Sequence, residues 1–559
     1  MNRFKYIGLL IYTSLAQLFA FAQGEERTCQ NDRVILCSDR NIYVAGEIVR
    51  FAVHISNEDK AKQTSNVVYI ELISSEGQRI VSGKYSVENQ AASGSFAIPS
   101  DVITGNYYLK AYTKWMRNFS VTEYFFSSVK IINPYRQEVQ NNSHINATDD
   151  STKASPVTEP YCPFNIVTKK EDYSLHEKAS FIVSKNNSAE VKWANISIAP
   201  RASINNHFDS RKPTNLNHEE ASFYSNESKG IIISGKVYDV KSSLPLPYTK
   251  VNLSLLGAAS DFISVLTDSL GSFNFNMPFL EGKHELYIGI EDKSNASIKI
   301  DNDYCSRSLR FHAPPFDLSA NEREAVQKMV YNMEIQSSYH STNEVIPSNQ
   351  TLPVCSTLFY GTSDYTLLLD DYINLLSIEE YFHELYPDVS VRKDNEGNPT
   401  FRIYGEAPEM QIYKPLVLID LVAVTKAESI LSLNPSLISR IEIITKPYYK
   451  GEMIFGGILS FFSKKGDMAG VDLPPTDMFL EFDFFSPDSV QTITNEELPV
   501  NIPDTKNTVL WIGNASDLIN RNSTIPFSTP DTPGEYTILL RGLGQDGKFF
   551  HCSKNITIK

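Results

Sequence analysis

The feature that most constrains the fold is a series of short runs in which apolar and polar residues alternate. In the run 107–113, Tyr107, Leu109, Ala111 and Thr113 fall on one face and the residues between them on the other. A two-residue period puts successive side chains on opposite faces of a strand. Short strands at regular spacing, separated by turns, predict antiparallel sandwiches. At 559 residues the chain is too long for one core, so we expect about four or five domains.

The first residues predict export. Arg3 and Lys5 precede an apolar run that ends on Ala20-Phe21-Ala22. A charged start, a short apolar middle and a small-residue end are typical of a cleavable signal peptide, here residues 1–22. The alternative is a membrane anchor, but the run is shorter than the roughly 20 residues that a spanning helix needs.

Charge and cysteine content exclude two classes of function. A net charge of −15 argues against nucleic-acid binding, which requires a basic face. Six cysteines lie far apart with no C-x-x-C pair, which argues against a zinc site. Cys29 and Cys37 are near enough in sequence to close a small loop, and the other pairings stay open. These cysteines are Cys29, Cys37, Cys162, Cys305, Cys355 and Cys552.

The pattern along the chain predicts tandem β domains with one α+β unit among them. Polar stretches poor in apolar residues mark the linkers. The expected division is a sandwich at 23–135, a linker at 136–160, a second β domain at 161–202, a linker at 203–229, a sandwich at 230–316, a helical connector at 317–360, the α+β unit at 361–470 and a C-terminal β domain at 471–559.

Two segments predict helices. Ser319 and Glu322 have the spacing of a capping box, and Val326, Met329 and Met333 recur at helical spacing. A connector helix that buries one face is the expected result. Residues 372–386 predict the second helix.

The run Asp39-Arg40-Asn41-Ile42-Tyr43-Val44-Ala45-Gly46-Glu47 resembles the D-R-x-x-Y-x-x-G-E opening of a macroglobulin MG2 domain. The resemblance covers residues 39–134 and matches the form found in Bacteroidetes envelope proteins. It implies an immunoglobulin-like sandwich in which Tyr43 is buried and Gly46 forms a turn. Residues 161–202 are expected to be a partial domain of the same kind.

Two further resemblances concern the middle of the chain. Residues 234–239 and the run Thr267-Asp268-Ser269-Leu270-Gly271 resemble the carboxypeptidase regulatory-like domain, a transthyretin-like sandwich without peptidase activity. Residues 415–420, 438–444 and 456–466 resemble the plug of a TonB-dependent receptor, although Leu421 stands where that family has glycine. Only 93 residues follow Gly466, too few for the barrel of such a receptor.

The chain shows no recognisable catalytic motif, and no catalytic, metal-binding or cofactor-binding residue is predicted. His383-Glu384 has no second histidine four residues after the first, so we expect a half-buried, satisfied histidine. Asp370-Asp371 and Glu379-Glu380 are expected to be helix-cap and helix-face charges.

Together these features predict a non-enzymatic protein of the cell envelope that acts through interactions. It would lie in the periplasm, at the outer membrane or on the cell surface, and dock with an outer-membrane barrel or a transport or secretion complex. It would have no membrane span of its own and no nucleic-acid partner. The alternative is a secreted or surface module that binds glycan or a host protein.

Overall fold

The computed structural model describes residues 32–57, 64–140, 161–185, 190–204, 213–215, 223–291, 295–307, 309–311, 313–340, 358–394, 397–487, 492–493 and 502–559. The predicted signal peptide, Cys29 and Cys355 lie outside these residues, as does most of the predicted linker at 136–160. Sheets dominate the described residues, so the predicted mainly β fold class is confirmed. Within the described ranges, no helix combines the length and apolarity needed to cross a bilayer.

The N-terminal sandwich consists of two sheets that enclose a shared core. Its strands are β1 (Asp32–Ser38), β2 (Ile42–Val44), β3 (Ile48–Asn57), β4 (Val67–Ser74), β5 (Arg79–Ser86), β6 (Ala91–Ala97), β7 (Gly105–Tyr112) and β8 (Phe125–Ile132). One sheet has the order β1-β3-β6 and the other the order β2-β8-β7-β4-β5. Both faces of β7 are buried, and even Lys110 is only 2% exposed. Other segments of the chain therefore cover the outer face of this sheet.

Four more strands follow, and then a middle sandwich. The four are β9 (Phe164–Thr168), β10 (Asp172–Tyr173), β11 (Lys178–Lys185) and β12 (Val191–Pro200). The next strands are β13 (Thr214–Asn215), β14 (Ile232–Asp239), β15 (Lys250–Leu255), β16 (Asp261–Leu266), β17 (Ser272–Asn276), β18 (Lys283–Ile290), β19 (Ala296–Ile300) and β20 (Leu309–Arg310). The order β17-β14-β19 forms one sheet of the middle sandwich, and β16-β15-β18 belong to the other.

Helix α1 (Ala320–His340) leads to the α+β unit. The unit contains β21 (Tyr365–Leu368), α2 (Ile378–Leu385), β22 (Val389–Lys393), β23 (Pro399–Ile403), α3 (Glu409–Ile412), β24 (Leu416–Ile419), β25 (Val422–Ala423), α4 (Ala427–Leu431), β26 (Ile438–Ile444), β27 (Tyr448–Lys450), β28 (Met453–Phe455) and β29 (Ile458–Ser463). Its central sheet has the order β21-β26-β29-β24-β25, with β24 parallel to β29. Helices α2 and α4 pack on this sheet through the buried residues Tyr381, Phe382 and Ile430.

The C-terminal strands are shared between two sandwiches. They are β30 (Met478–Asp483), β31 (Thr492–Ile493), β32 (Leu510–Ile512), β33 (Thr524–Ser528), β34 (Gly534–Gly544) and β35 (Phe549–Ile558), with helix α5 (Ser516–Asn520) between β32 and β33. Strand β30 pairs with β18 and completes the middle sandwich. The others join β9–β12 in a second sandwich, which we call the split sandwich because its strands come from two separate parts of the chain. Its sheets have the orders β10-β35-β34-β12-β32-β31 and β33-β11-β9. A disulfide between Cys162 and Cys552 links its two halves.

Cys37 does not close the small loop with Cys29 that their spacing permits, and Cys29 itself lies outside the described residues. Cys37 is a free thiol, 1% exposed. It packs with Trp193 and Trp511 where the N-terminal and split sandwiches meet. The side chain of Cys37 is therefore part of a buried core.

The two helix predictions have different outcomes. Ser319 and Glu322 form the predicted reciprocal cap: the Ser319 amide donates to the Glu322 carboxylate at 2.7 Å, and the Glu322 amide donates to the Ser319 hydroxyl at 3.3 Å. Helix α1 buries Val326 and Met329 as expected. In contrast, the helix predicted at 372–386 begins only at Ile378. Ser377 caps it in an extended conformation and accepts from the amide of Glu380, so residues 372–376 form a loop.

Candidate functional site

The MG2-like motif forms a buried cluster of charged groups at the edge of the N-terminal sandwich. The Arg40 guanidinium binds both carboxylate oxygens of Glu47, at 2.9 and 3.1 Å. Arg40 is 2% exposed, and its guanidinium lies 4.6 Å from the centre of the Tyr43 ring. Burial opposes the charge of Arg40, but Glu47 and Asp39 outweigh it and raise the pKa of the guanidinium. A bidentate pair fixes the geometry of the turn between β2 and β3.

Asp39 organises the other side of this cluster. The Tyr43 hydroxyl donates to the Asp39 carboxylate at 2.7 Å, and the Arg50 amide donates to the same oxygen at 3.1 Å. Burial, and after it the charge of Asp39, raises the pKa of the Tyr43 phenol well above its ordinary value. Gly46 has a φ of +93°, which glycine adopts without strain. The expected roles of Tyr43 and Gly46 are therefore confirmed.

Residues from distant parts of the chain complete the cluster. The Thr508 hydroxyl donates to the carboxylate of Asp39. The Asn507 amide donates to Glu47 at 2.6 Å and to the Met329 carbonyl at 3.1 Å. The motif therefore joins the N-terminal sandwich, helix α1 and the segment that leads into β32.

An apolar interface continues this junction. Trp193 of β12, Trp511 of β32 and Leu543 of β34 pack against the sheet β1-β3-β6. The His54 ring stacks on Trp193 with centroids 5.6 Å apart. Burial, with a smaller effect from the charge of Lys192, lowers the pKa of His54 from 6.5 to about 4. His54 is therefore neutral at physiological pH.

A second buried cluster explains why both faces of β7 are covered. Glu71 accepts from the Lys110 ammonium at 3.0 Å, the Tyr112 hydroxyl at 2.6 Å and Arg79 at 2.8 Å. Burial opposes the charge of Glu71, but these partners outweigh it and lower its pKa. The Cys305 amide in turn donates to Tyr112 at 2.9 Å, which ties the segment after β19 to this sheet.

Residues 223–229, part of the predicted linker, also pack on the sheet that contains β4 and β7. Glu227 is fully buried and accepts from the Tyr69 hydroxyl at 3.0 Å, with the Lys114 ammonium 3.8 Å away. Burial raises the pKa of Glu227, and Lys114 opposes this effect. The Arg117 guanidinium donates to the Tyr224 hydroxyl at 2.7 Å. The middle sandwich is therefore held to the N-terminal sandwich by buried polar contacts.

In the α+β unit the aspartate of the plug-like motif closes a tight turn. Asp420 and Leu421 have φ values of +46° and +69° between the paired strands β24 and β25. The Asp420 carboxylate accepts from the Ser463 amide at 2.8 Å and the Met468 amide at 2.7 Å. Leu421, the departure from the plug pattern, therefore adopts a left-handed conformation that glycine would adopt without strain.

The charged residues that the sequence offered as possible catalytic or metal-binding groups lie on the surface of the α+β unit. The His383 side chain is 83% exposed and lies 3.0 Å from Glu384, so the expected half-buried histidine is wrong. Asp370 pairs with Lys464 at 2.6 Å, and Glu380 accepts from the Leu376 amide at 2.8 Å. Over the described ranges, no group of three or more His, Cys, Asp or Glu residues is placed to hold a metal ion.

A cavity of about 370 Å³, lined by both polar and apolar side chains, lies beside the motif cluster. Asn106 and Lys130 line it, and the Lys130 ammonium reaches the Glu322 carboxylate at 2.8 Å. The ion pair links β8 to the first turn of α1, so this cavity belongs to the same junction.

Comparison with known families identifies one domain. The model of the MG2 domain matches residues 33–126, the range that holds β2–β7, the motif residues 39–47 and the cluster around Glu71. The chain is thus a mainly β protein in which residues 33–126 match the MG2 domain. No curated protein matches the chain.

Solved structures show only distant similarity. Trypsin-activated alpha-2-macroglobulin from Escherichia coli is 9% identical over 94% of this chain and 41% of that one, with a TM-score of 0.23. Salmonella alpha-2-macroglobulin reacted with methylamine is 8% identical over 94% and 39%, with a TM-score of 0.21. A tandem repeat of a large adhesion protein is 9% identical over 95% and 100%, with a TM-score of 0.14. This chain spans about two fifths of the macroglobulin chains, and similarity this low says nothing about activity.

The sequence identifies the residues that the N-terminal sandwich contributes to the junction, but not those that come from distant segments. Asp39, Arg40, Tyr43 and Glu47 are marked by their motif, but Asn507 and Thr508 lie in a polar stretch without periodicity. Glu227 likewise lies in a segment that is polar overall, so no pattern distinguishes it from its neighbours. A charged side chain that becomes buried only through contacts with distant segments leaves no local pattern.

Proposed function

We propose that this protein is a non-catalytic interaction scaffold of a bacterial cell envelope. It is exported, lies in the periplasm or at the outer membrane, and docks with an outer-membrane barrel or with a transport or secretion complex. The observation that carries the proposal is the junction at Asp39, Arg40 and Glu47. There the charged groups bind one another and residues of neighbouring domains, so they hold the structure together rather than act on a substrate.

Contacts between distant segments support this proposal. The split sandwich draws on residues on both sides of the middle sandwich and the α+β unit, and the Cys162–Cys552 disulfide fixes it. Domains linked in this way cannot swing independently on flexible tethers. A rigid body holds its docking surfaces at fixed spacing, which lowers the entropy cost of binding a large partner.

The direct test is crosslinking in the native host, followed by purification from solubilised membranes and mass spectrometry. We expect a barrel protein or a subunit of a transport or secretion complex to be enriched over a host that expresses the tag alone. Recovery only from the medium, with binding on a glycan array, would instead support the secreted binding module. Turnover of a peptide or glycan substrate by purified protein would contradict the proposal.

A further inference from the structure

The loop at residues 372–376, between β21 and α2, exposes large apolar side chains. Ile373 is 81% exposed, Leu376 is 90% exposed and Tyr372 is 43% exposed. A single 3-10 turn, Leu369–Asp371, separates the loop from β21, the edge strand of its sheet, where Tyr365 and Leu368 are also about half exposed. Single exposed apolar residues need no explanation, but five within twelve positions make this segment a candidate interaction site.

Helix α2 holds this apolar loop in place. The Tyr381 hydroxyl accepts from the Leu375 amide and donates to the Ile373 carbonyl, both at 3.4 Å. The Leu376 amide donates to the Glu380 carboxylate at 2.8 Å. These bonds hold the backbone of the loop against α2. The loop therefore presents Ile373 and Leu376 in a fixed conformation, which reduces the entropy lost on binding.

The surroundings of the apolar loop are strongly acidic. Residues 361–388 contain seven acidic side chains and neither lysine nor arginine. Asp364 and Asp370 reach Lys446 and Lys464, at 3.0 and 2.6 Å, whereas Asp371 and Glu379 are exposed on either side of the loop. The seven acidic residues are Asp364, Asp370, Asp371, Glu379, Glu380, Glu384 and Asp388.

We infer that the apolar loop docks into a polypeptide partner that presents an apolar surface flanked by lysine or arginine. This inference rests on the proposed scaffold function and names the chemistry of its partner. Complementary charges favour such a partner. Anionic lipid headgroups would be repelled by the same carboxylates. A symmetric pair of copies would place the two acidic flanks against each other, so a second copy does not fit either.

The probes are two synthetic peptides of equal length, one alternating leucine with lysine and the other leucine with glutamate. Fluorescence anisotropy with the full chain should show affinity for the lysine peptide at least roughly tenfold higher than for the glutamate peptide. The double variant Ile373→Ser/Leu376→Ser and the double variant Asp371→Asn/Glu379→Gln should each lose roughly tenfold in affinity for the lysine peptide. Because these side chains are exposed, circular dichroism and melting should stay unchanged.

The matched control is Leu244→Ser/Leu270→Ser, which removes two leucines that are 64% and 65% exposed on turns of the middle sandwich. It should bind the lysine peptide as the wild type does. Equal affinity for both peptides, or equal losses in the control and the Ile373→Ser/Leu376→Ser variant, would overturn the inference. Binding to phosphatidylglycerol vesicles, or a dimer in sedimentation, that disappears in that variant would also overturn it.

The membrane crosslinking experiment separates this inference from the scaffold proposal. If the Ile373→Ser/Leu376→Ser variant still recovers the wild-type partner, docking uses another surface and only the inference fails. If neither protein recovers an envelope partner, the proposed function fails as well.

Discussion

The hydroxyl of Thr508 donates a hydrogen bond to the carboxylate of Asp39, 469 positions earlier in the chain. Both side chains are buried, and Asp39 also receives the phenol of Tyr43. The opening motif of the MG2 domain is therefore completed by a residue just before β32. This contact ties the C-terminal part of the chain to the N-terminal sandwich.

Arg40→Met tests the buried charge cluster. The substitution keeps roughly the length of the side chain but removes the cation that pairs directly with the buried carboxylates of Glu47 and Asp39. Breaking one partner of a buried pair typically costs about 3–5 kcal/mol, so urea unfolding should show a loss of that size. The control is Arg201→Ala, which removes an exposed pair with Glu535 and should cost less than about 1 kcal/mol. Similar losses in both variants would show that Arg40 has no special structural role.

Reduction of the disulfide should loosen the split sandwich. Cys162 and Cys552 are 390 positions apart, and a disulfide of this kind typically stabilises by about 2–4 kcal/mol. Dithiothreitol should therefore lower the melting temperature of the wild type. The variant Cys162→Ser/Cys552→Ser should start at the lower value and not respond to dithiothreitol, whereas Cys305→Ala should still respond. A wild type that is insensitive to reduction would contradict this role.

His54 should make the protein less stable in mild acid. The folded protein holds the pKa of His54 at about 4, against 6.5 for an unperturbed histidine. As the pH falls, the unfolded state therefore binds the proton before the folded state does. The stability that neutral His54 contributes is complete above pH 6.5 and is lost as the pH falls toward 4. The loss should reach about 2 kcal/mol at pH 5. His54→Phe keeps a ring on Trp193 and should remove this part of the pH dependence, so identical pH profiles would refute the assignment.

Gly457 should be essential for the α+β unit. Its φ is +89°, and a Cβ atom there would collide with the backbone carbonyl of Ile444. Gly457→Ala should therefore destabilise the unit by at least about 2 kcal/mol, visible as faster hydrogen exchange in β24 and β29. Gly451→Ala provides the comparison, since Gly451 has a φ of +60° but open space around it, and should cost about 1 kcal/mol. Equal exchange in the two variants would show that the Ile444 contact is unimportant.

Local patterns predicted the elements well where a single strand or helix carries the signal. The alternation at 107–113 became β7, the capping box at Ser319 became the start of α1, and the apolar run at 415–420 became the buried strand β24. Each of these depends on contacts within a few residues or on a repeated period, which the sequence displays directly.

The sequence could not show how distant segments combine. Strands β9–β12 and β32–β35 each have the pattern of ordinary strands, and nothing in their composition indicates that they combine in the two sheets of one sandwich. The sequence predicts helix at 372–376 because the leucines there and the following α2 give one continuous helical pattern. The cap at Ser377 outweighs that pattern, since its hydroxyl accepts from the Glu380 amide.

The central claim is that the motif of the N-terminal sandwich and the C-terminal part of the chain form one body. A double-mutant cycle of Asp39→Asn and Thr508→Val tests it, with urea unfolding followed by the fluorescence of Trp193 and Trp511, which lie in the adjoining interface. A coupling energy of at least about 1 kcal/mol is expected for two buried groups in direct contact. Strictly additive effects would show that the two residues are independent and would contradict the account.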